Sequence, residues 1–266
     1  MNAVTRTNLT LGIIAALLSL ILILHKPALQ APTAQRLSTA APQQANSIKL
    51  SLGNGQPPTL ILQRDEQAWT LNAPVHMRAD DMAVNEILRL LSVSSQRTLD
   101  PSDTDLAAIR LDPPLWQVDI DEHRFAIGGT EALSGQRYVL HQGQIHLVGD
   151  LNAARFDNNY ADLVDRSLLG EHAQIQSIRL LQGEVTLVQA GSAELFARWA
   201  NAEAQWLVRP SKMDFDDVRE RVTVRLDSAS IDFLIRSREP RLELIRPDLD
   251  LMYMLPASAS RELLEP

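Results

Sequence analysis

Two histidines have the residue type and spacing that best fit a metal site in this 266-residue chain. His141 and His146 flank Gln142-Gly143, a pair suited to the two-residue turn of a β-hairpin. Such a turn places both imidazoles on one face of the hairpin as diagonal neighbours. A zinc site needs a third and usually a fourth ligand with supporting groups, and the nearby sequence supplies none. We therefore predict surface histidines and no metal.

An acidic series has some of the spacing of a calcium-binding loop. Asp100, Asp103 and Asp105 are close together, but the glycine and the later bidentate glutamate of such a loop do not follow at the required positions. We therefore predict that Asp103 is the N-cap of a short helical turn over residues 103–109.

Three further carboxylates and two tryptophans could form catalytic or binding groups. Asp119, Asp121 and Glu122 could pair as an acid and a base, although they lie at a predicted turn, where solvated charges are normal. Trp69 and Trp206 could stack on a ligand, but each ends a predicted strand shortly before a proline. We predict that both tryptophans close a core.

Four arginines form a basic patch near the carboxyl end of an otherwise acidic chain. Arg236, Arg238, Arg241 and Arg246 lie within a short stretch, whereas the whole chain has a net charge of −8. One interpretation is the solvated face of a strand. The other is a docking surface for an acidic partner, and these four residues are our candidate partner-binding site.

Composition and motifs exclude several classes of function. The net charge and a pI near 5.3 argue against nucleic acid as a partner, because phosphate backbones are bound by clustered lysine and arginine. The chain has no cysteine, which excludes disulfides, thiolate zinc sites, thiol nucleophiles and the lipid-modified cysteine of a lipoprotein. No phosphate-binding loop, zinc-protease motif or serine-hydrolase motif is present. We predict that the protein is not an enzyme and has no cofactor.

The amino-terminal stretch predicts a membrane tether. Residues 9–24 contain no charged residue. Together with His25 this stretch approaches the length of a bilayer-spanning helix, which needs about 20 apolar residues. The small residues of a cleavage site do not follow, so we predict an uncleaved signal-anchor helix at 9–25, crossing the inner membrane once. The short tail 1–8 favours a cytoplasmic amino terminus. Residues 26–46, rich in proline, alanine and glutamine, predict a linker to a body in the periplasm.

Hydrophobic patterning predicts strands and helices behind the linker. Alternation of apolar and polar residues predicts strands at 48–52, 59–63, 68–71, 116–120, 124–127, 138–141 and 144–148. An apolar stripe from Met82 to Leu91, with Asp80 or Asp81 as its cap, predicts a helix. Residues 151–169 are predicted to be helical as well.

From these elements we predict an α+β fold, in which the transmembrane helix is followed by two related, mixed, mainly antiparallel sheet units with packed helices. The units span residues 47–170 and 171–257, and a tail covers 258–266. Their relation rests on matching positions at the junction of a strand and a helix. Trp69, Pro74, Met77, Asp80 and Asp81 correspond to Trp206, Pro210, Met213, Asp216 and Asp217.

Several segments occur in the order typical of a known bacterial family. They are Trp69-x-Leu71-x-x-Pro74, Asp80-Asp81 with Ile87-Leu88, Leu111-Asp112-Pro113-Pro114, Ile127-Gly128, Tyr138-Val139 and Asp162-Leu163-x-x-Arg166-Ser167-Leu168-Leu169. Over residues 48–200 the chain resembles the domain of unknown function (DUF) 4340 family. The resemblance implies a cell-envelope protein with one amino-terminal transmembrane helix, some of whose relatives accompany gliding or ABC-transport components. It supplies no catalytic residues.

Two functions from different classes fit these patterns. The first is a non-catalytic, membrane-anchored accessory protein of a bacterial envelope complex, because a tether and a linker carry a body without convergent polar groups. The alternative is a glycan-binding protein or hydrolase that uses a cleft between the two units. Two facing carboxylates in a cleft would favour the alternative, whereas a flat apolar or arginine-lined face would favour partner binding.

Overall fold

The computed structural model describes residues 35–53, 59–66, 68–149, 151, 159–170, 173–186, 192–215, 218, 220–227 and 229–265. By its internal contacts the chain divides into two compact units, residues 1–35 and 36–266, and the described elements lie in the second apart from Gln35. The predicted signal anchor at 9–25 and the tail at 1–8 lie outside the described residues. Within the described part of the chain, no helix has both the length and the apolar character needed to cross a membrane.

The predicted α+β class is wrong, because the described body is mostly β. Strand residues make up 46% and helical residues 19% of what the structure describes, and the strands form two antiparallel sheets. The clearest local error is the helix predicted over 151–169. Its described part contains a short 3-10 turn at Tyr160–Asp162, after which Val164 and Ser167 form β-bridges to other segments. The backbone there bonds to distant neighbours, and this non-local pairing replaces helical bonds.

The first sheet contains ten strands. They are β1 (Gln35–Arg36), β2 (Ser47–Leu52), β3 (Leu60–Asp65), β4 (Ala68–Ala73), β5 (Met77–Arg78), β6 (Ser94–Leu99), β7 (Trp116–Ile120), β8 (His123–Thr130), β9 (Arg137–His141) and β10 (Gln144–Val148). Their order is β1-β6-β10-β9-β8-β7-β2-β3-β4-β5. All seven strands that alternation predicted are confirmed, since each overlaps one of these elements. Alternation succeeds because one face of this sheet is buried.

The second sheet contains seven strands. They are β11 (Ile175–Leu180), β12 (Gly183–Thr186), β13 (Trp206–Val208), β14 (Glu220–Leu226), β15 (Ser230–Ser237), β16 (Leu242–Arg246) and β17 (Leu251–Leu255). Their order is β12-β11-β14-β15-β16-β17-β13, so β13 lies at one edge. The strand pairs within this sheet are antiparallel.

In the described part of the chain, three α-helices pack against the sheets. The predicted helix is confirmed as α1 (Asp81–Leu88), whose first turn is capped by the Asp80 carboxylate accepting from the Ala83 N–H at 2.8 Å. The others are α2 (Ser192–Ala200) and α3 (Ser258–Leu264). Helix α3 occupies most of the predicted tail and contacts α2, where the indole N–H of Trp199 donates to the Leu263 carbonyl at 2.8 Å.

One segment joins the edges of the two sheets. Within residues 163–168, the Leu163 carbonyl accepts from the Asp80 N–H at 2.8 Å, on the side of the first sheet. The Arg166 carbonyl accepts from the Ala204 N–H at 2.9 Å, on the side of the second. A single buried cluster draws apolar side chains from both sheets. The predicted division of the body between residues 170 and 171 stays a prediction.

A candidate partner-binding cleft beside strand β13

The indole of Trp206 lies partly exposed on edge strand β13. Its backbone pairs with Met254 of β17, and its side chain is 42% exposed. The guanidinium of Arg241 lies over the ring, 5.1 Å from its centroid. The prediction that Trp206 closes a core is therefore wrong, whereas the same prediction for Trp69 is confirmed, since that residue is only 5% exposed.

A cleft of about 210 Å³ lies beside β13. Its lining includes Trp206 and Met82, and the Met82 side chain, in the first turn of α1, is 71% exposed. The apolar residues Ala161, Val164 and Leu207 also line the cleft. Single exposed apolar residues are common on protein surfaces and need no explanation. Here two large ones, Met82 and Trp206, line the same small cleft.

The two carboxylates that line this cleft both have structural roles. Asp80 caps α1 through the bond from the Ala83 N–H. Asp162 accepts from the side-chain amide of Asn159 at 2.8 Å, across the turn at Tyr160–Asp162. Because each carboxylate stabilises local backbone structure, this pair does not resemble an acid and a base that face a substrate.

The remaining charged group of the cleft, Arg166, supports the edge strand. Its Nη1 donates to the Gln205 carbonyl at 3.1 Å, immediately before β13. Edge strands present backbone groups that can pair with another chain, and a long cationic side chain at the edge discourages such pairing. The Trp206 ring remains partly exposed beside this contact.

Three of the four candidate arginines have carboxylate partners. Arg236 pairs with Glu243 and with Asp214, the latter at 2.7 Å. The hydrogen bond to Glu243 is the main cause that raises the pKa of Arg236, and the bonds from Ser211 lower the pKa of Asp214. In this cluster two carboxylates more than compensate the positive charge of Arg236.

The other two paired arginines are similar. Arg238 bonds to Glu220 at 2.7 Å, and Arg246 bonds to Asp248 at 2.6 Å. Among the described residues, Arg241 has no carboxylate partner and contacts the Trp206 ring instead. Partner binding by all four arginines stays a prediction. Of these four, Arg241 is the one without a carboxylate partner in the described part of the chain.

A family model for the domain of unknown function DUF4340 matches residues 69–232, which is more than half of the chain. The chain belongs to the DUF4340 family. The match confirms the resemblance seen in the sequence and includes α1, the joining segment at 163–168 and β13. No curated protein and no solved structure gives a significant match. The segments that line the cleft thus lie within the DUF4340 region.

The two candidate metal ligands of this DUF4340 body are buried, and the prediction of surface histidines is wrong. His141 and His146 are 2% and 4% exposed, and the register of β9 and β10 confirms that they share one face. His141 Nδ1 donates to the Arg124 carbonyl at 2.8 Å, and its ring stacks on Phe125 with centroids 4.2 Å apart.

Each of these imidazoles retains one nitrogen without a hydrogen-bond partner, Nε2 in His141 and Nδ1 in His146. Burial is the largest cause that lowers the pKa of both side chains. His123 lies nearby, its ring centroid 5.7 Å from that of His141. The described part of the chain contains no group of three side chains placed to hold a metal ion.

The acidic series near residue 100 stabilises turns. Asp100 caps a 3-10 turn at Pro101–Asp103 by accepting from the Ser102 N–H at 2.8 Å. Asp103 is the last residue of that turn and not, as predicted, the N-cap of a turn over residues 103–109. The bond from the Ser102 hydroxyl is the main cause that lowers the pKa of Asp100. Asp105 accepts from the Ala107 N–H at 3.1 Å. These carboxylates are occupied by local backbone and hydroxyl groups.

The three carboxylates at the β7–β8 turn each bond to a different partner. Asp119 pairs with Arg124 at 3.0 Å, whereas Asp121 accepts from the Ser47 N–H at 2.9 Å. Asp121 itself has a φ of 48°, as the tight turn requires. Glu122 lies 3.7 Å from Nε2 of His123. The geometry gives these residues structural roles.

A second cavity, of about 460 Å³, is lined by residues of the first sheet and of the segments next to the second. The Tyr160 hydroxyl donates toward the carbonyls of Leu249 and Asp250, at 2.8 and 3.0 Å. Arg209 lies 5.2 Å over the Tyr160 ring and pairs with the Asp250 carboxylate at 3.0 Å. This cavity is the closest counterpart of the predicted cleft between units, and it contains one carboxylate.

Proposed function

We propose that this DUF4340 protein is a non-catalytic, membrane-anchored accessory protein of a bacterial envelope complex, and that the cleft beside β13 receives a protein partner. The observation that carries the proposal is the pair of exposed apolar side chains, Met82 and Trp206, on one cleft. Tryptophan and arginine are enriched among the residues that contribute most to protein interfaces. Here the Arg241 guanidinium lies over the ring of Trp206, which lines the cleft.

The size of the cleft supports a protein partner over a small ligand. Small-molecule sites commonly measure about 300–1,000 Å³. The cleft beside β13, at about 210 Å³, is smaller and suits one or two side chains of a docked protein. The two carboxylates within it accept structural hydrogen bonds, Asp80 from the Ala83 N–H and Asp162 from the Asn159 amide. They are therefore poor candidates for the acid and the base of a hydrolase.

The location belongs to the same proposal and rests on the amino-terminal sequence. The uncharged stretch within residues 9–25 would hold the protein in the inner membrane, with the body in the periplasm. Residues 26–34 are rich in proline and alanine and would let the cleft reach a neighbouring membrane protein. The rest of the predicted linker, residues 35–46, belongs to the body, because β1 lies in the first sheet and Leu37 is buried.

Site-specific photocrosslinking in intact cells tests this function. A photoreactive amino acid replaces Met82 or Trp206 in the full chain, and crosslinked products are recovered from solubilised membranes. We expect one and the same envelope protein from both positions. Leu133 is the matched control, because it is apolar and 97% exposed but does not line the cleft.

Equal labelling from Leu133, or no product from either cleft position, would contradict the proposal. The alternative function predicts a different result at the larger cavity. There, binding of envelope glycan fragments that is lost in Arg209→Ala, and unchanged in Trp206→Ala, would favour glycan recognition, since Arg209 stacks on Tyr160 in that cavity.

A further inference from the structure

We propose that the partner segment that enters the β13 cleft carries a carboxylate beside its apolar anchor, and that this carboxylate binds Arg241 above the Trp206 ring. The inference rests on the proposed function and defines the chemistry of its partner as a short acidic segment with one large apolar side chain. Charge complementarity at Arg241, which has no carboxylate partner among the described residues, carries the argument.

The first step is the pairing of the surrounding charges. Glu243 is engaged by Arg236, and Glu220 is engaged by Arg238. Arg241 has no carboxylate partner among the residues that the structure describes. A positive charge therefore remains at the cleft rim of a chain whose net charge is −8.

The second step is the geometry of the contact between Arg241 and Trp206. The guanidinium carbon of Arg241 lies over the Trp206 ring, 5.1 Å from the ring centroid. A guanidinium carries several N–H donors, and within the described part of the chain none of those of Arg241 bonds to a carboxylate. Those donors match the two oxygens of a carboxylate, which can accept two parallel hydrogen bonds. The tryptophan thus holds the cation in place for an acidic group.

The third step is that Trp206 belongs to both features. Its ring supports Arg241, and the residue also lines the apolar cleft together with Met82. A partner side chain in the cleft therefore lies close to the guanidinium. The required carboxylate has to be near the apolar anchor in sequence, on the order of one to four residues away, whether the segment is extended or helical.

The overall negative charge of the chain strengthens the selectivity of such a site. Long-range repulsion disfavours an acidic partner in general, so binding depends on the local bond to Arg241 and on the apolar contact together. A segment with only one of the two features would bind weakly.

Peptide selection on the full-length chain in lipid nanodiscs tests the inference. A phage-displayed library of random peptides is selected on this protein and depleted on the Trp206→Ala variant. We expect the selected peptides to combine a large apolar residue with a nearby Asp or Glu. Arg241→Gln should weaken their binding by about tenfold, the effect of losing a charge-assisted hydrogen bond. Arg241→Lys should restore part of the affinity.

Arg238→Gln is the matched control, because Arg238 already pairs with Glu220 and should not affect the peptides. Selected peptides without acidic residues, an empty selection, or equal binding by Arg241→Gln would overturn the inference. Persistence of the crosslinked partner in Arg241→Gln would then show that the proposed function stands without it. If the chain with Arg241 intact gave no crosslinks from Met82 and Trp206, the proposed function itself would be contradicted.

Discussion

Trp69 and Trp206 begin two stretches with the same order of residue types, yet only the first ring is buried. Trp69, in β4, is 5% exposed. Its backbone carbonyl accepts a hydrogen bond from the Ala79 N–H at 2.8 Å. Helix α1 then packs against β4. Trp206 lies on an edge strand, is 42% exposed, and is covered by no equivalent helix in the described residues.

The difference lies in the residues that come after each tryptophan. After Asp80, the residues from Met82 to Leu91 repeat apolar side chains at helical spacing, so a helix can bury one face. After Trp206 the chain forms only a 3-10 turn at Lys212–Asp214 in the described residues that precede β14. That turn is closed by two bonds, in which the N–H and the hydroxyl of Ser211 donate to the Asp214 carboxylate. The tryptophan at the matching position is therefore buried in one region and partly exposed in the other.

The strongest test of this comparison is a matched pair of substitutions. Trp69→Ala should lower the free energy of unfolding by about 3–5 kcal/mol, because it removes a large buried side chain and leaves a cavity. Trp206→Ala should change it by less than about 1 kcal/mol, as expected of a partly exposed position. Urea unfolding followed by circular dichroism measures both values. Equal losses would show that the two rings are buried alike in solution.

A second test uses pH, since the histidines that are buried in the described part of the chain, His141 and His146, lie in the first sheet, and strands β11–β17 contain no histidine. Burial lowers the pKa of His141 and His146 in the folded protein, whereas histidines of the unfolded chain titrate near 6.5. Below that value the unfolded chain binds more protons than the folded one. Stability should therefore be complete above about pH 6.5 and fall as the pH decreases further.

The measurement is urea unfolding at about pH 7.5 and about pH 5, a range in which histidine is the main group to titrate. His146→Leu should reduce the difference between the two values. His76→Gln should leave it unchanged, because His76 is exposed. A pH dependence that persists fully in His146→Leu would assign it to other groups.

The smallest stability effect concerns the helix start that distinguishes the two regions. Asp80→Ala removes the N-cap of α1 and should cost about 1 kcal/mol of unfolding free energy. The neighbouring Asp81→Ala should cost less, because Asp81 only forms a surface pair with Arg78 at 3.3 Å. Thermal unfolding of the two variants compares them directly. If Asp81→Ala were the more damaging, the cap would not be the feature that fixes α1.

Much of the first region could be predicted from the sequence because its signals are local. Strands with alternating apolar residues, the turn at Gln142-Gly143 and the Asp80 cap each depend on a few consecutive residues. The helix predicted over residues 151–169 is wrong for its described part, residues 159–169. Their apolar residues also fit a helix, but Val164 and Ser167 pair with Ala79 and Glu203, which lie far away in sequence. Local spacing does not contain that information.

The candidate site shows the same limit. The sequence identified the arginine cluster but not which cation is unpaired, because Arg236 and Arg238 find their carboxylates on other strands or turns. The exposure of Trp206 had one local signal: the residues after Pro210 lack the apolar stripe that comes after Asp80. The meeting of Met82 with Trp206 at one cleft had none.

The sequence by itself determined the family, the strands of the first sheet, the start of α1 and the absence of cysteine chemistry, because each follows from residue type or short-range periodicity. Tertiary structure alone decided which histidines are buried, which of the four arginines lacks a carboxylate partner among the described residues, and which tryptophan faces solvent. Those outcomes depend on strand order, and strand order brings together residues that are more than a hundred positions apart, as Met82 and Trp206 are. Burial and pairing are properties of that assembly and not of any single segment.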